Sequence, residues 1–205
     1  MFYLSGCLGA QRKGFAIIMS KLTEFMDILT GIFNNREQYE KLKTQNNDFP
    51  YAEHINTPCN NKIVNLPVNF EGIFMVEESY YTANGKTHAS PHLFLFTEES
   101  GGIKLTSYEI PSGYDKVTFT YDGVGIIDYK SLKVSEKFTP VLYVEKDGVW
   151  EGGSVSMFSP VLKFTLFERF SQVCLEVSES MEVNGNRTFG YDEAIIYKRT
   201  PCHHI

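Results

Sequence analysis

From Pro50 onward the chain is a succession of short runs in which apolar and polar residues alternate, divided by turn residues, and few folds accommodate that pattern. "EGIFMVEESYY" (71–81), "PHLFLFTEE" (91–99), "GIKLTSYEI" (102–110), "KVTFTYDG" (116–123), "PVLYVEKDG" (140–148), "LKFTLFERF" (162–170), "QVCLEVSES" (172–180) and "FGYDEAIIYKR" (189–199) read as strands. Between them stand Ala83-Asn84-Gly85, Gly101-Gly102, Asp122-Gly123, Asp147-Gly148 and Asn184-Gly185, residues suited to tight hairpins. Short links join antiparallel neighbours, and so many strands in one open sheet would leave exposed edges. Such a set closes into a barrel or bends strongly.

Ahead of the strands, Leu22, Phe25, Met26, Leu29, Ile32 and Phe33 recur at helical spacing within Ser20–Gln45. Ser20 or Thr23 can cap this helix, Gly31 and Asn34-Asn35 break or bend it, and "REQYEKLK" continues it as a more polar piece. The apolar stripe is read as core packed against a sheet. The predicted fold is therefore mainly β, an antiparallel calycin-like (lipocalin-like) barrel with an N-terminal helix; a two-sheet sandwich is the competing layout. Residues 20–200 form one domain. Residues 1–18 are read as an upstream extension outside the fold, disordered, because Met19 directly precedes the helix.

Sixteen Phe and twelve Tyr against one Trp suit pleated, half-buried surfaces. A net charge of −6 without a basic stripe argues against nucleic acid, and the apolar runs are shorter than the roughly 20 residues a membrane span needs. Cys7, Cys59, Cys174 and Cys202 are far apart, so metal and dithiol spacings are missing. Reduced thiols in a cytoplasmic protein are the expected state. "LSGC" before position 8 lacks the basic start and apolar stretch of a lipoprotein signal.

The chemistry-bearing signal is a carboxylate on a greasy face. At period two, Glu168 sits between Leu166 and Phe170 on the face that also holds Phe164. If that face points inward, the carboxylate must find a cation or take up a proton. Pairing with a neighbouring Lys or Arg, or a bulge that turns it outward, is the plain alternative. Glu77 and Glu78 pose the same question, since adjacent residues point to opposite faces. Either Glu77 joins Ile73, Met75 and Tyr81, or Glu78 joins Phe74, Val76 and Tyr80. Two acids alone do not make a glycosidase, and nothing else suggests a sugar site. His92 alternates with Phe94 and Phe96; it is read as a structural histidine before a cavity group. No nucleophile elbow or phosphate-cradling loop appears, and "EGGS" (151–154) is read as turn glycines.

The order "LTGIFNNREQYE", "YAEHINTPC", "FEGIFMVEESYY", "SPHLFLFTEE", "IKLTSYEI" and "MEVNGNRTFGYDEAIIYKR" resembles the T-type phycobiliprotein lyases, the CpcT/CpeT chromophore lyase family. Gly31, Phe33, Asn34 or Asn35, and Gln38 match its opening helix. His54 matches its His-bearing strand. Phe74, Glu77, Glu78 and Tyr80 match the next strand, and Asn184, Gly185, Phe189, Gly190, Tyr197 and Arg199 the closing segment. The sequence departs where the family has P-Y-R: Pro91 is followed by His92 and Leu93. It departs too at the family's central glycine-cysteine pair and at a closing Trp, which is Phe189 here.

The resemblance implies a calycin-type barrel, often dimeric, that binds a linear tetrapyrrole (phycocyanobilin or phycoerythrobilin). It implies assistance in thioether attachment of that bilin to a cysteine of a phycobiliprotein β-subunit, in the cytosol of a cyanobacterium or an infected host. On that reading Glu168 is the catalytic residue, and Glu77, Glu78, Tyr80, His92, Phe94, Phe164, Leu166, Arg169 and Arg199 bind the bilin. Lys104, Lys163, Arg169, Lys198 and Arg199 are the expected partners of its propionates. A carrier that binds a bilin or another apolar ligand without catalysis is the alternative.

Overall fold

The computed structural model describes residues 20–45 and 49–201; the predicted extension 1–18 lies outside them. Ser20 caps helix α1 (Lys21–Leu29), its side chain accepting from the Thr23 amide at 3.1 Å. The predicted helix does not run on through Ile32 and Phe33. Gly31 has φ +135°, outside the helical region, and Gly31–Asn34 is strand β1. The stripe continued there only because β1 also buries one residue, Phe33, while Ile32 faces out. Helix α2 (Arg36–Lys43) follows, and the buried Asn35 side chain before it ties this segment to Pro50 and Ala52.

The remaining strands are β2 (Tyr51–Pro58), β3 (Ile63–Val64), β4 (Ile73–Ala83), β5 (Lys86–Ala89), β6 (His92–Glu99), β7 (Gly102–Tyr108) and β8 (Ile127–Asp128). Then come β9 (Val141–Lys146), β10 (Val149–Met157), β11 (Leu162–Phe170), β12 (Leu175–Val183), β13 (Asn186–Gly190) and β14 (Ile195–Arg199). Antiparallel pairing runs β1-β2-β4-β6-β7-β9-β10-β11-β12-β14 and returns to β1, a closed barrel of ten strands. Closure settles the layout in favour of the barrel over the sandwich. Asn84-Gly85, Asp147-Gly148 and Asn184-Gly185 all have both residues at positive φ, as two-residue hairpins require. They join β4 to β5, β9 to β10 and β12 to β13.

Two expected strands and one expected turn need correction. Residues 116–123 are turns: Asp115 Oδ1 accepts from the Val117 and Thr118 amides, which folds the backbone back on itself. Residues 189–199 break at Tyr191, so β13 and β14 are separate. The glycines of "EGGS" lie mid-strand in β10, not in a turn. A Cβ on Gly153 would stand 2.6 Å from the Leu166 carbonyl oxygen, so the close approach of β11 accounts for that glycine.

Helix α1 closes one end of the barrel. The Phe25 ring, with no exposed surface, has centroids at 5.5 Å from Phe96, 5.3 Å from Tyr143, 5.1 Å from Trp150 and 5.5 Å from Phe170. These rings belong to β6, β9, β10 and β11. A second cluster lies on the outside: Phe74, Val76, Leu93 and Leu95 are covered by Ile63, Phe119, Val124 and Ile127. β4 and β6 are thus buried on both faces, which is why their sequences read as nearly unbroken apolar runs. No helix among the described residues is long and apolar enough to cross a membrane.

Candidate functional site

Above the α1 plug the barrel encloses a cavity of about 650 Å³. Barrel strands contribute alternate residues to it: His92, Phe94 and Phe96 from β6, and Phe164, Leu166, Glu168 and Phe170 from β11. The walls offer flat faces. Phe158 lies over Phe164 at 5.6 Å and 20°, Phe138 meets both edge-on, and His92 stacks on Phe94 at 5.2 Å and 6°. A cavity of this size, mostly apolar with a few convergent polar groups, is what small-molecule sites look like.

A few polar groups converge on it. Glu168 points inward, and neither plain alternative holds. Its pairings to β10 and β12 run without a bulge, and its hydrogen-bond partner is the Tyr143 hydroxyl, not a cation. Burial, with the Glu77 charge adding to it, pushes Glu168 up to about 8. At neutral pH it therefore holds its proton. Glu77 behaves oppositely. Burial alone would raise it, but His54 Nδ1 at 3.5 Å and the Ser79 hydroxyl at 3.1 Å outweigh burial and lower it. For His54, burial pulls down, but Glu77 together with the other cavity carboxylates outweighs it, so the ring is charged more readily than an ordinary histidine. Glu179 also lines the cavity; burial raises it while the Tyr81 hydroxyl donates to it at 3.3 Å. The arrangement separates roles: Glu77 is an ionised carboxylate in an ion pair, and Glu168 is a neutral acid that can give or take a proton.

Gly152 on β10 makes room for this geometry. A Cβ there would lie 2.5 Å from Tyr143 Cδ1 and 2.8 Å from Val141 Cγ1. Gly152→Ala is therefore expected to push Tyr143 off Glu168 and to cost about 1–3 kcal/mol through overpacking. Urea denaturation measures the cost. A variant as stable as the wild type would show that the ring has slack.

Of the residues singled out in the sequence, Glu77, His92, Phe94, Phe164, Leu166 and Glu168 line the cavity. Glu78, Tyr80, Arg169 and Arg199 do not, and each has a physical reason. Glu78 and Tyr80 have the outward parity of β4. The Glu78 carboxylate accepts from the Tyr80 hydroxyl at 2.8 Å and from the Tyr121 amide at 3.1 Å, pinning the outer cover. Arg169 faces outward between Glu151 and Glu176. Arg199 sits at the α1 end, over the Phe33 ring, and donates to the carbonyls of Asp27, Ile28 and Thr30. The other expected cations, Lys104, Lys163 and Lys198, pair with Glu99, Glu182 and Glu37 on the outside.

The sequence did not single out Tyr143, Glu179 or Lys116, all of which line the cavity. Glu179 shared a face with Val177 and Met181, the same signal that exposed Glu168; Lys116 had no signal, since its segment read as a strand. Neither described cysteine lines the cavity. Cys59 is buried under the outer cover, which pushes its thiol up to about 12. Among the described residues no cluster of His, Cys, Asp and Glu is arranged to hold a metal. The protein matches no protein-family model and no curated protein.

Proposed function

We propose that this protein binds a linear tetrapyrrole in the barrel cavity and assists its thioether attachment to a cysteine of a phycobiliprotein β-subunit. The observation that carries the reading is the neutral Glu168 set in an aromatic-walled cavity of about 650 Å³. A bilin is a flat π-system, and stacked faces such as Phe158–Phe164 and His92–Phe94 suit it. Its pyrrole N–H groups need acceptors in a dry interior, which Glu168 and Glu179 supply. A proton on Glu168 can pass to the bilin, converting a neutral contact into a charge-assisted one.

In the attachment step the acceptor's sulfur bonds to the exocyclic ethylidene carbon of ring A, and a proton is added at the adjacent ring carbon in place of the one the thiol gives up. With neither described cysteine in the cavity, the nucleophile is the acceptor protein's. The barrel contributes by holding the bilin extended with one face presented, which removes orientational freedom before reaction.

The test is titration of the purified protein with phycoerythrobilin and phycocyanobilin, followed by an apo-β-subunit. A red-shifted, more fluorescent band reports binding, and zinc-fluorescent colour on the acceptor in a denaturing gel reports transfer. Binding without transfer would leave a carrier; no spectral change with either bilin would remove the proposal.

A further inference from the structure

The cavity has carboxyl groups inside and a single Lys at its edge. Glu168 lies by the plug, bonded to Tyr143 beside Phe25, while Glu77 stands opposite His92 in the β4–β6 pairing. The cavity's open end is set by β6, whose Phe96 touches the α1 plug through Phe25 and whose other terminus is His92. There the lining also includes His88, His92 and the exposed Lys116. Among the described lining residues Lys116 is the one Lys or Arg, and it has no ion-pair partner, unlike the five strand-face cations paired or bonded elsewhere.

Its position is built. Asp115 accepts from the Val117 and Thr118 amides and the Thr118 hydroxyl, and the Asp115 amide donates to Thr118 Oγ1 at 2.9 Å. The turn that carries Lys116 is then anchored by Phe119, fully buried in the outer cover, and by the Tyr114 hydroxyl, which accepts from the Gly125 amide at 2.9 Å. The Asp115 carboxylate is occupied by its own turn. Lys116 thus stands at the rim of the cavity with no ion-pair partner among the described residues.

We propose that Lys116 anchors a ligand carboxylate at the mouth, so that the ligand enters with its N–H edge toward Glu168 and its anionic arms outermost. This rests on the tetrapyrrole reading above and extends it. The two inner rings of a bilin carry nitrogens on one edge and propionates on the other, so propionates held at Lys116 leave the nitrogens directed inward to Glu168. Reversed entry would bury the propionates beside Glu168, away from the one Lys or Arg among the described lining residues, a costly place for an ionised carboxylate.

Phycocyanobilin and its dimethyl ester separate the two ideas, each titrated by absorbance into the wild type and Lys116→Met. Lys116 is exposed, and circular dichroism verifies that the variant is folded. Wild type is expected to bind the diacid about tenfold more tightly than the ester, the scale of one charged hydrogen bond. Lys116→Met is expected to lose that preference, with ester affinity unchanged within about twofold. Rising salt should weaken the diacid on the wild type alone. Equal wild-type affinities for acid and ester, or an equal loss of both in the variant, overturns the anchor while leaving the cavity as a bilin site. Failure of both compounds to bind the wild type overturns the tetrapyrrole reading and the anchor with it.

Discussion

Replacing Glu168 with Gln is expected to make the protein more stable at neutral and alkaline pH, by an amount that grows with pH. The buried carboxyl has its folded pKa raised from 4.5 to about 8. A group shifted upward contributes stability that is fully present below the unfolded value and is lost as pH rises through the folded one. Between those limits the wild type loses about 1.4 kcal/mol per pH unit through this group. Glutamine cannot ionise, has nearly the same shape, and still offers Tyr143 an acceptor. The advantage of Glu168→Gln should be near zero at pH 4.5, roughly 3 kcal/mol at pH 7 and about 5 kcal/mol above pH 8. At neutral pH that is about 6–12 °C in Tm for a protein of this size. His54 and Glu77 also make the stability of both proteins pH-dependent, so the difference between the two proteins isolates position 168. Denaturation midpoints at pH 5, 7 and 9 give the answer. A difference that does not widen with pH would mean the carboxyl is not held neutral. On the tetrapyrrole proposal, the same variant should also shift the absorbance band of a bound bilin, because the proton Glu168 would share with the pyrroles is gone. Stability gained and pigment handling lost at one residue is the pattern of a site kept for function.

Removing the Phe25 ring should have the largest cost. Phe25 is fully buried among four rings from four barrel strands, and it anchors the helix that closes the cavity floor. Phe25→Ala is expected to destabilise by about 3–5 kcal/mol, since the surrounding β-strands cannot collapse into the space. Phe25→Leu should keep most of the packing and cost about 1–2 kcal/mol. Urea denaturation of both variants separates a lost plug from a lost ring face. The consequence reaches the site: Phe25 contacts Tyr143, the partner of Glu168. An opened floor would admit water and lower the Glu168 pKa toward its ordinary value. A Phe25→Ala loss below about 1 kcal/mol would show that α1 does not close the barrel.

The hairpins and the inward carboxylate were legible because they rest on local rules. Asn84-Gly85, Asp147-Gly148 and Asn184-Gly185 adopt the positive φ of tight hairpins, although Asp122-Gly123 does not and joins no strands, and period-two alternation put Glu168 with Phe164, Leu166 and Phe170 before any fold was known. The errors arose where tertiary packing competes with local pattern. Ile32 and Phe33 fit a helix by spacing, yet β1 forms because the barrel needs a strand between β2 and β14. Gly152 and Gly153 look like a turn until β11 and Tyr143 are seen pressing on them. Residues 116–123 alternate like a strand but serve as the outer cover.

Local pattern alone establishes a mostly antiparallel β-protein with an acid on an apolar face and no metal or nucleophile motif. Which of Glu77 and Glu78 faces inward follows only from closure of the barrel, because a strand's parity has no meaning until one of its faces becomes the inside. Tertiary packing also decides which cations are paired: Arg169 and Arg199 have partners on neighbouring elements, and Lys116 has no ion-pair partner among the described residues. Charge and burial are properties of surroundings, and joining β14 to β1 is what supplies the surroundings.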